Sequence, residues 1–403
     1  MKYWVLLLLI CVVISTPISA RVLSGRVEVA IVDADKLTTW QNSGTGILRP
    51  ESGGTQLQQA FIRTHFDLNS DWSVDAVLNA YEDGVDHIGF TQGFLRYKPL
   101  TPNKVKVKAK LGFFYPSMSI ENVAEGWLSP YTYTQSAINS WIGEELRNAG
   151  GEISFFENGR ASRSPWSWEA TFGVFKGNDP LGSLLTWRGF AMHDRQSLHS
   201  DRVNFARLPS VIREDAINSP AWVEPFTEID GRWGGYVGFH LRHFRTSEAR
   251  YYFYDNRADP SAINQARLYA WHTKFHSLAL QHNFNRQWRL MGQFMDGSTN
   301  MGPNIVSANF TAWYVAGRYS HNKHSVTLRY DWFDVREGDS MPADQNNSDG
   351  YGVTLAWRYQ YTHHWEFGAE YHRNENKAEN RVQLGIPLSQ TQTQSRFVAS
   401  YRF

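Results

Sequence analysis

The chain has 403 residues, including 16 Trp, 19 Tyr and 24 Phe, and its 40 basic residues nearly balance 39 acidic ones. So many aromatic residues with so little net charge exclude an intrinsically disordered chain. A net charge of +1 argues against a nucleic-acid-binding protein that depends on a basic surface. The mean hydropathy is −0.46, and no apolar run of ~20 residues follows position 20, which excludes a bundle of membrane-spanning helices.

Residues 1–20 have the organisation of a secretory signal peptide, with Lys2 ahead of an apolar stretch and the small residue Ala20 at the cut. An N-terminal anchor helix is the alternative. Cleavage after Ala20 would leave a mature chain, 21–403, without cysteine, because Cys11 is the one cysteine. An exported chain without disulfides needs another source of stability, and a closed hydrogen-bonded barrel is one.

Beyond position 20, apolar and polar residues alternate along segments of ~10–13 residues, which predicts strands with one apolar face. The clearest segments are 103–114, 166–176, 325–335, 350–360 and 365–374. Typical globular strands have ~5–6 residues, whereas ~9–11 tilted residues cross a bilayer. The pattern therefore predicts an all-β protein, a transmembrane antiparallel β-barrel whose apolar face meets lipid and whose polar face lines the lumen.

The connections between these segments divide into short turns and longer loops, as in bacterial outer-membrane barrels. Short turns are expected near 69–71, 99–102, 159–164, 245–248, 284–286, 320–324 and 361–364. Longer segments are expected at 34–54, 115–147, 177–232, 256–265, 297–307, 336–349 and 375–390, whereas 83–86 is short where a long loop is expected. Seven turns join fourteen strands, and the segments near Val27–Val32 and Gln392–Phe403 make sixteen.

Aromatic residues recur at fixed places in this scheme. Trp72, Trp166, Trp288 and Trp365 each follow a short turn directly, which is typical of an aromatic girdle at the membrane interface. At the chain end, Phe397, Ala399, Tyr401 and Phe403 alternate with Arg396, Val398, Ser400 and Arg402. This ending resembles the terminal signal that the outer-membrane barrel assembly machinery reads, and we expect these three aromatic residues to form it.

The stretch Gly112–Glu121, GFFYPSMSIE, resembles the Gly-, Phe-, Pro-, Ser- and Glu-containing segment of the phosphate-selective porin O and P family. The resemblance implies a homotrimeric, 16-stranded porin in the outer membrane of a Gram-negative bacterium. It also implies that the third loop, 115–147, folds toward the lumen as a constriction and that basic residues conduct anions. Within this loop, the apolar spacing of Tyr131–Arg147 predicts a short helix, either in the lumen or against a trimer neighbour.

Four lysines with a spacing of two form the most informative polar pattern: Lys104, Lys106, Lys108 and Lys110. On a strand they share one face at intervals of ~6.8 Å. Placing them against lipid would cost ~2–4 kcal/mol each near the midplane, so we expect them in the lumen as an anion guide. Arg329 and Arg358 are further candidates for anion-guiding, pore-lining residues. The alternative is a solvated strand face whose charges pair with carboxylates on adjacent strands.

The function predicted from these patterns is that of a porin, a water-filled channel for passive diffusion of small hydrophilic solutes, favouring anions such as phosphate. Its expected partners are such solutes, outer-membrane lipid and the assembly machinery. No cofactor, metal or catalytic residue is expected, because neither a Gly-x-Ser-x-Gly nor a His-Glu-x-x-His motif occurs. The alternatives are a non-conducting adhesin or structural barrel and, less favoured, a barrel lipase or protease using His240, Ser247 or Asp331.

Two groups of residues are minor candidates for metal binding. The turn histidines are His321, His324, His363 and His364. The acidic loop 338–350 contains Asp339, Asp344 and Asp349, which offer oxygen ligands for Ca²⁺ without matching a twelve-residue calcium loop.

Overall fold

The computed structural model describes residues 20–302, 305–341 and 344–403, so the expected signal peptide lies outside the described residues except for Ala20. In the described part, sixteen antiparallel strands close into one barrel, each paired with its neighbours in the chain. The barrel strands are β1 (Ala20–Ala34), β2 (Gly54–Asp67), β3 (Trp72–Ala80), β4 (Ile88–Tyr97), β5 (Lys106–Phe114), β6 (Asn148–Glu157), β7 (Trp166–Lys176), β8 (Gly234–His243), β9 (Ser247–Asp255), β10 (His272–Asn283), β11 (Trp288–Met301), β12 (Val306–His321), β13 (His324–Glu337), β14 (Ser348–Gln360), β15 (Trp365–Ala378) and β16 (Ser389–Arg402). The sixteen-stranded all-β barrel predicted from the alternation is confirmed.

The first and last strands close the barrel. β1 pairs with β16 so that Val27 lies opposite Tyr401 and Ile31 opposite Phe397. Gly25 and Phe403 exchange two backbone hydrogen bonds, each 3.1 Å long. Closure removes both sheet edges, which a barrel in lipid requires. Ile31 and Phe397 are 64% and 65% exposed, so the apolar face of this seam points outward.

Short turns and long loops lie at opposite ends of the barrel. The short connections are 68–71, 98–105, 158–165, 244–246, 284–287, 322–323 and 361–364, each close to its predicted position. The loops at the other end are 35–53, 81–87, 115–147, 177–233, 256–271, 302–305, 338–347 and 379–388. The expectation of a long connection at 297–307 is wrong, because β11 and β12 extend to Met301 and from Val306 and leave only four residues between them.

Each of the four tryptophans predicted for the girdle begins a strand after a short turn and is 38–51% exposed. Across the strand pair, each faces another aromatic ring with a centroid separation of 4.6–5.0 Å: Trp72 with Tyr97, Trp166 with His243, Trp288 with Tyr319 and Trp365 with Tyr401. Amphipathic rings at one common depth suit a membrane interface.

The strand β13 illustrates the two faces. Val326, Leu328 and Tyr330 are 40–56% exposed and point outward, whereas Thr327 and Arg329 point inward and are buried. Toward the long loops the inward residues become apolar, as at Phe333. On β13 the predicted polar lumen face therefore holds for the half nearer the short turns, whereas near the long loops β15 and β16 still carry buried polar side chains such as Asn374 and Gln392.

The connections between the strands contain the helices of the described residues. The α-helices are α1 (Ala137–Glu145), α2 (Gly159–Ser162), α3 (Ser183–Arg188) and α4 (Pro209–Ile212), and 3-10 turns occur at Trp40–Asn42, Glu125–Trp127 and Glu379–Leu384. A two-stranded sheet joins Val203–Asn204 to Trp222–Val223 within 177–233. None of the helices in the described residues is long and apolar enough to cross a bilayer.

Candidate functional site in the barrel lumen

The third loop lies inside the barrel. Its predicted helix is α1, which begins at an N-cap where Ser136 Oγ accepts a hydrogen bond from the Asn139 amide, 3.2 Å away. Every residue of α1 is buried, and the helix contacts β12 and β13. The Trp141 ring packs edge-on against Phe275 and Phe310 of the wall, at 5.5 and 5.3 Å. Because these side chains point inward, the helix occupies the lumen.

Two buried arginines fix this loop to the wall. Arg329 donates hydrogen bonds to Glu121 and Asp331, each 2.7 Å long, and to the carbonyl oxygens of Thr134 and Gln135. At 1% exposure its guanidinium is enclosed by the loop. Since a buried charge must be paired and hydrogen-bonded, this site serves as an anchor for the loop.

The second arginine, Arg358, is 6% exposed and lies 2.9 Å from Glu366. It donates to the carbonyl oxygens of Ser129 and Thr132 and lies over the Tyr133 ring, 4.0 Å from its centroid. Arg329 and Arg358 thus face inward as expected, but they are covered by the loop. Both guanidinium groups are enclosed by the third loop, and their role in guiding anions stays a prediction.

A second loop segment packs beside the third loop. Within 177–233, Arg188 forms two hydrogen bonds to Glu144 of α1, 2.9 and 2.6 Å long. The neighbouring Glu145 accepts hydrogen bonds from the Trp141 indole and from the Leu184 amide at the start of α3. These contacts bind the two loops into one plug, which we call the lumen plug and define as residues 115–147 with 178–198. Nearly all of its residues are buried.

The lysine row lies on the lumen side, as the alternation predicted. The intervening Val105 and Leu111 are 42% and 63% exposed on the outer face. Lys108 lies 2.7 Å from Glu169 and Lys110 lies 3.1 Å from Glu152, so their charges are balanced across neighbouring strands.

The first lysine of the row precedes the strand, because β5 begins at Lys106. The side chain of Lys104 is 71% exposed and lies 3.5 Å from Glu157. The pairing considered as the alternative is therefore present at three of the four lysines, and their role in guiding anions stays a prediction.

Several further basic residues face inward near the short turns and were not selected from the sequence. Together with Lys106, Lys108 and Lys110 they form what we call the basic band: Arg63, Arg96, Arg242, Arg250, Arg289, Arg318 and Arg402. Each lies within five residues of the strand end that meets a short turn. Each also occupies an inward position of its strand, where the neighbouring residues in the sequence point outward. That combination of parity and position is the sequence signal that would have identified them.

Arg289 and Arg318 differ from the rest of the band because they lie directly opposite each other on β11 and β12. Neither guanidinium forms an ion pair with a carboxylate of any described residue. Arg289 donates to Asn283 Oδ1 at 2.7 Å and to the Tyr131 hydroxyl, and the Arg318 guanidinium carbon lies 5.5 Å from the centroid of that Tyr131 ring. Like charges opposite each other repel, and an anion between them would relieve that repulsion.

A cavity of about 1130 Å³ opens at the short-turn end beside the band. Six basic residues and two acidic ones contribute to its wall: Lys98, Lys108, Arg160, Arg163, Arg242 and Arg245 against Glu157 and Glu169. A concave surface with an excess of one charge raises the local concentration of the opposite ion.

The residues considered for catalysis do not meet. His240 faces inward, where its Nε2 lies 2.8 Å from the Tyr252 hydroxyl. Ser247 lies on the other face, paired with His282 Nδ1 at 2.9 Å, and Asp331 bonds to Arg329. The turn histidines are exposed and, within the described ranges, join no group of three metal-ligating side chains.

The sequence matches no protein family and no curated protein. Solved structures share its fold. They include the outer membrane channel DcaP of Acinetobacter baumannii (10% identity, TM-score 0.56, 95% of this chain and 97% of that chain). The trimer form of OmpT, an outer membrane protein of Vibrio cholerae, has 10% identity and a TM-score of 0.55 over 95% and 99% of the chains. The anion-selective porin of Comamonas acidovorans has 12% identity and a TM-score of 0.54 over the same shares.

At these identities the neighbours show the fold alone, which is that of the porin-like transmembrane barrels of the Gram-negative outer membrane. Membership of the phosphate-selective porin O and P family, which the Gly112–Glu121 stretch resembles, has no support from a family match.

Proposed function

We propose that this chain is an outer-membrane porin, exported by a cleaved signal peptide at 1–20, through which small hydrophilic solutes diffuse passively and anions such as phosphate are favoured. The observation that carries the proposal is the basic band on the inner wall, beside the cavity of about 1130 Å³ at the short-turn end. At physiological salt the Debye length is ~8 Å, so charges on the wall of a pore of comparable radius act on ions that pass through it.

A homotrimer is part of this proposal. The OmpT structure of Vibrio cholerae, which shares the fold, is described as a trimer form. Outward apolar residues also cover the barrel at every strand, which provides surface for lipid and for neighbouring copies.

The lumen plug favours a second candidate function, a non-conducting barrel with an adhesive or structural role. Thirty-two buried residues of the plug, of loop 35–53 and of the inner wall form one apolar cluster that includes Trp141, Phe190, Phe275, Phe310 and Phe333. Water-filled porins have polar interiors, so an apolar cluster of this size inside the barrel restricts any channel to a narrow path.

Planar-bilayer recording separates the two functions. Protein refolded in detergent and inserted into a bilayer should show discrete conductance steps, and a KCl gradient should give a reversal potential of the sign expected for chloride selectivity. A conducting channel with cation preference would contradict the anion proposal only. Silence of a correctly folded barrel, checked by its heat-dependent gel shift, would favour the non-conducting function.

A further inference from the structure

Three carboxylates meet at the long-loop end, where β13 continues into loop 338–347. One oxygen of each of Glu337, Asp339 and Asp344 lies within 4.8 Å of the others. Ca²⁺ binds oxygens at ~2.3–2.6 Å, so two ligands on opposite sides of the ion are ~4.6–5.2 Å apart. The spacing of the three oxygens therefore fits one such ion.

Among the described residues, no cationic side chain balances these charges. In the described ranges of the chain, no lysine, arginine or histidine forms an ion pair with Glu337, Asp339 or Asp344. The nearby cations are engaged elsewhere, since Arg336 lies 2.6 Å from Asp334 and Lys377 lies 3.5 Å from Glu379. Three carboxylates at this separation repel one another strongly unless a cation or protons neutralise them.

Asp344 supplies an independent observation. Its residue is 1% exposed, and its Oδ1 is buried without a hydrogen-bond partner among the described residues, whereas Oδ2 accepts a hydrogen bond from Asn346 Nδ2 at 2.7 Å. A buried carboxylate oxygen without a partner in a native protein calls for an explanation, and a bound cation provides one.

The backbone holds the second carboxylate in place. Asp339 Oδ2 accepts a hydrogen bond from the Ser307 amide at 2.7 Å, and its Oδ1 accepts one from the Met341 amide at 2.9 Å. The first of these bonds connects the loop to the start of β12, so the carboxylate is positioned before an ion binds. Preorganised oxygen ligands reduce the entropy lost on binding.

We propose that Glu337, Asp339 and Asp344 bind one Ca²⁺ ion, which fixes loop 338–347 to the rim of the barrel. The site lies at the long-loop end of β13, and the proposal does not depend on conduction. The sequence indicated Asp339, Asp344 and Asp349 as candidates. Asp349 lies on β14 outside the cluster, and Glu337 takes its place.

Calorimetric titration of CaCl₂ into protein refolded in detergent tests the site, because refolded material carries no lipopolysaccharide that would itself bind divalent cations. We expect one ion per chain with a dissociation constant on the order of 10⁻⁴–10⁻³ M, as for extracellular calcium modules. Asp339→Asn and Asp344→Asn should each weaken binding at least tenfold, and Asp349→Asn should bind as the wild type does. Mg²⁺ should bind more weakly, because it requires stricter geometry.

A second acidic cluster provides a further control. Asp179, Glu228 and Asp230 also place oxygens within 4.8 Å of one another, but Arg232 lies 3.9 Å from Asp230, and among the described residues none of their oxygens is buried without a hydrogen-bond partner. Asp230→Asn should therefore leave the titration unchanged.

Absence of saturable Ca²⁺ binding to the folded wild type, or its loss in Asp230→Asn alone, would overturn the proposal. The heat-dependent gel shift shows that each variant has folded, and two separate substitutions keep the test available if one does not fold.

Discussion

At the scale of single residues, charge compensation distinguishes the lumen lysines from the arginine pair. Lys108 and Glu169 form a pair with no net charge, 2.7 Å apart. Arg289 and Arg318 add two positive charges on facing positions, beside Tyr131 of the third loop. If anions are guided through the lumen, the arginine pair should contribute more to selectivity than the balanced lysine.

The double variant Arg289→Gln/Arg318→Gln should therefore lower anion preference. A unit charge ~6 Å from a passing ion changes its energy by ~0.7 kcal/mol in bulk-like water, or about threefold in occupancy for each charge removed. Reversal potentials in a low-salt KCl gradient measure the change, which should shrink at 1 M salt, where the Debye length is ~3 Å.

The matched control for this variant is Lys108→Gln/Glu169→Gln, which removes a pair without changing the net charge and should leave the reversal potential almost unaltered. Equal effects of the two double variants would show that the arginine pair has no special place in the ion path.

At the scale of elements, the ion pair between Glu144 of α1 and Arg188 of α3 connects the two loop segments of the lumen plug. Burial alone would raise the pKa of Glu144, but the charges of Arg188 and His193 outweigh it and hold the pKa at about 2, below the usual 4.5. A carboxyl with a lowered pKa stabilises the folded contact above its usual pKa, and that stabilisation disappears as the pH falls from 4.5 toward 2.

Glu144→Gln should loosen the plug at neutral pH, because breaking a buried ion pair leaves the other charge unpaired at a cost of ~3–5 kcal/mol. We expect larger or more frequently open conductance steps, with an unchanged heat-dependent gel shift because the strand hydrogen bonds remain. The wild type should show the same opening only below about pH 4.5, and the variant should lose this dependence on pH. Asp215→Asn, at the exposed pair with Arg213 in loop 177–233, is the control and should conduct as the wild type does. A wild-type conductance in Glu144→Gln would exclude the contact as a gate.

The elements also show why the barrel was predictable and the plug was not. A strand with one lipid-facing side, such as β13, carries a period of two in the sequence, and each Trp after a short turn marks its start. Loop 177–233 has no comparable signal. The position of Arg188 follows from the fold of loops that meet only in the lumen, so Glu144 and Arg188, 44 residues apart, could not be paired from spacing. The same holds for Arg329, whose parity was predicted correctly but whose burial depends on the third loop.

At the scale of the whole molecule, the closed barrel depends on the pairing of β1 with β16. Besides its two backbone hydrogen bonds to Gly25, Phe403 places its ring where a Cβ on Gly25 would be, since a Cβ there would lie 2.3 Å from a ring atom. The glycine therefore allows the terminal aromatic ring to cover the seam. An open barrel would expose unpaired backbone groups to lipid, each at a cost of several kcal/mol.

Deleting Phe403 should lower the yield of folded barrel, and Gly25→Val should do the same, because a Cβ at position 25 would lie 2.3 Å from the Phe403 ring and 2.6 Å from the Phe61 carbonyl oxygen. Heat-dependent gel mobility after refolding in detergent measures closure without the assembly machinery, and outer-membrane yield in cells measures closure and recognition together.

If the ring matters for closure, both variants fail in both assays. If Phe403 serves only as a signal, its deletion refolds normally in detergent and fails in cells, whereas Gly25→Val still fails in detergent because the added side chain collides with the Phe61 carbonyl oxygen and with the ring. Phe403→Leu, which keeps an apolar group on the seam, should recover part of the yield in detergent. Full yield of the deletion variant in both assays would contradict both roles.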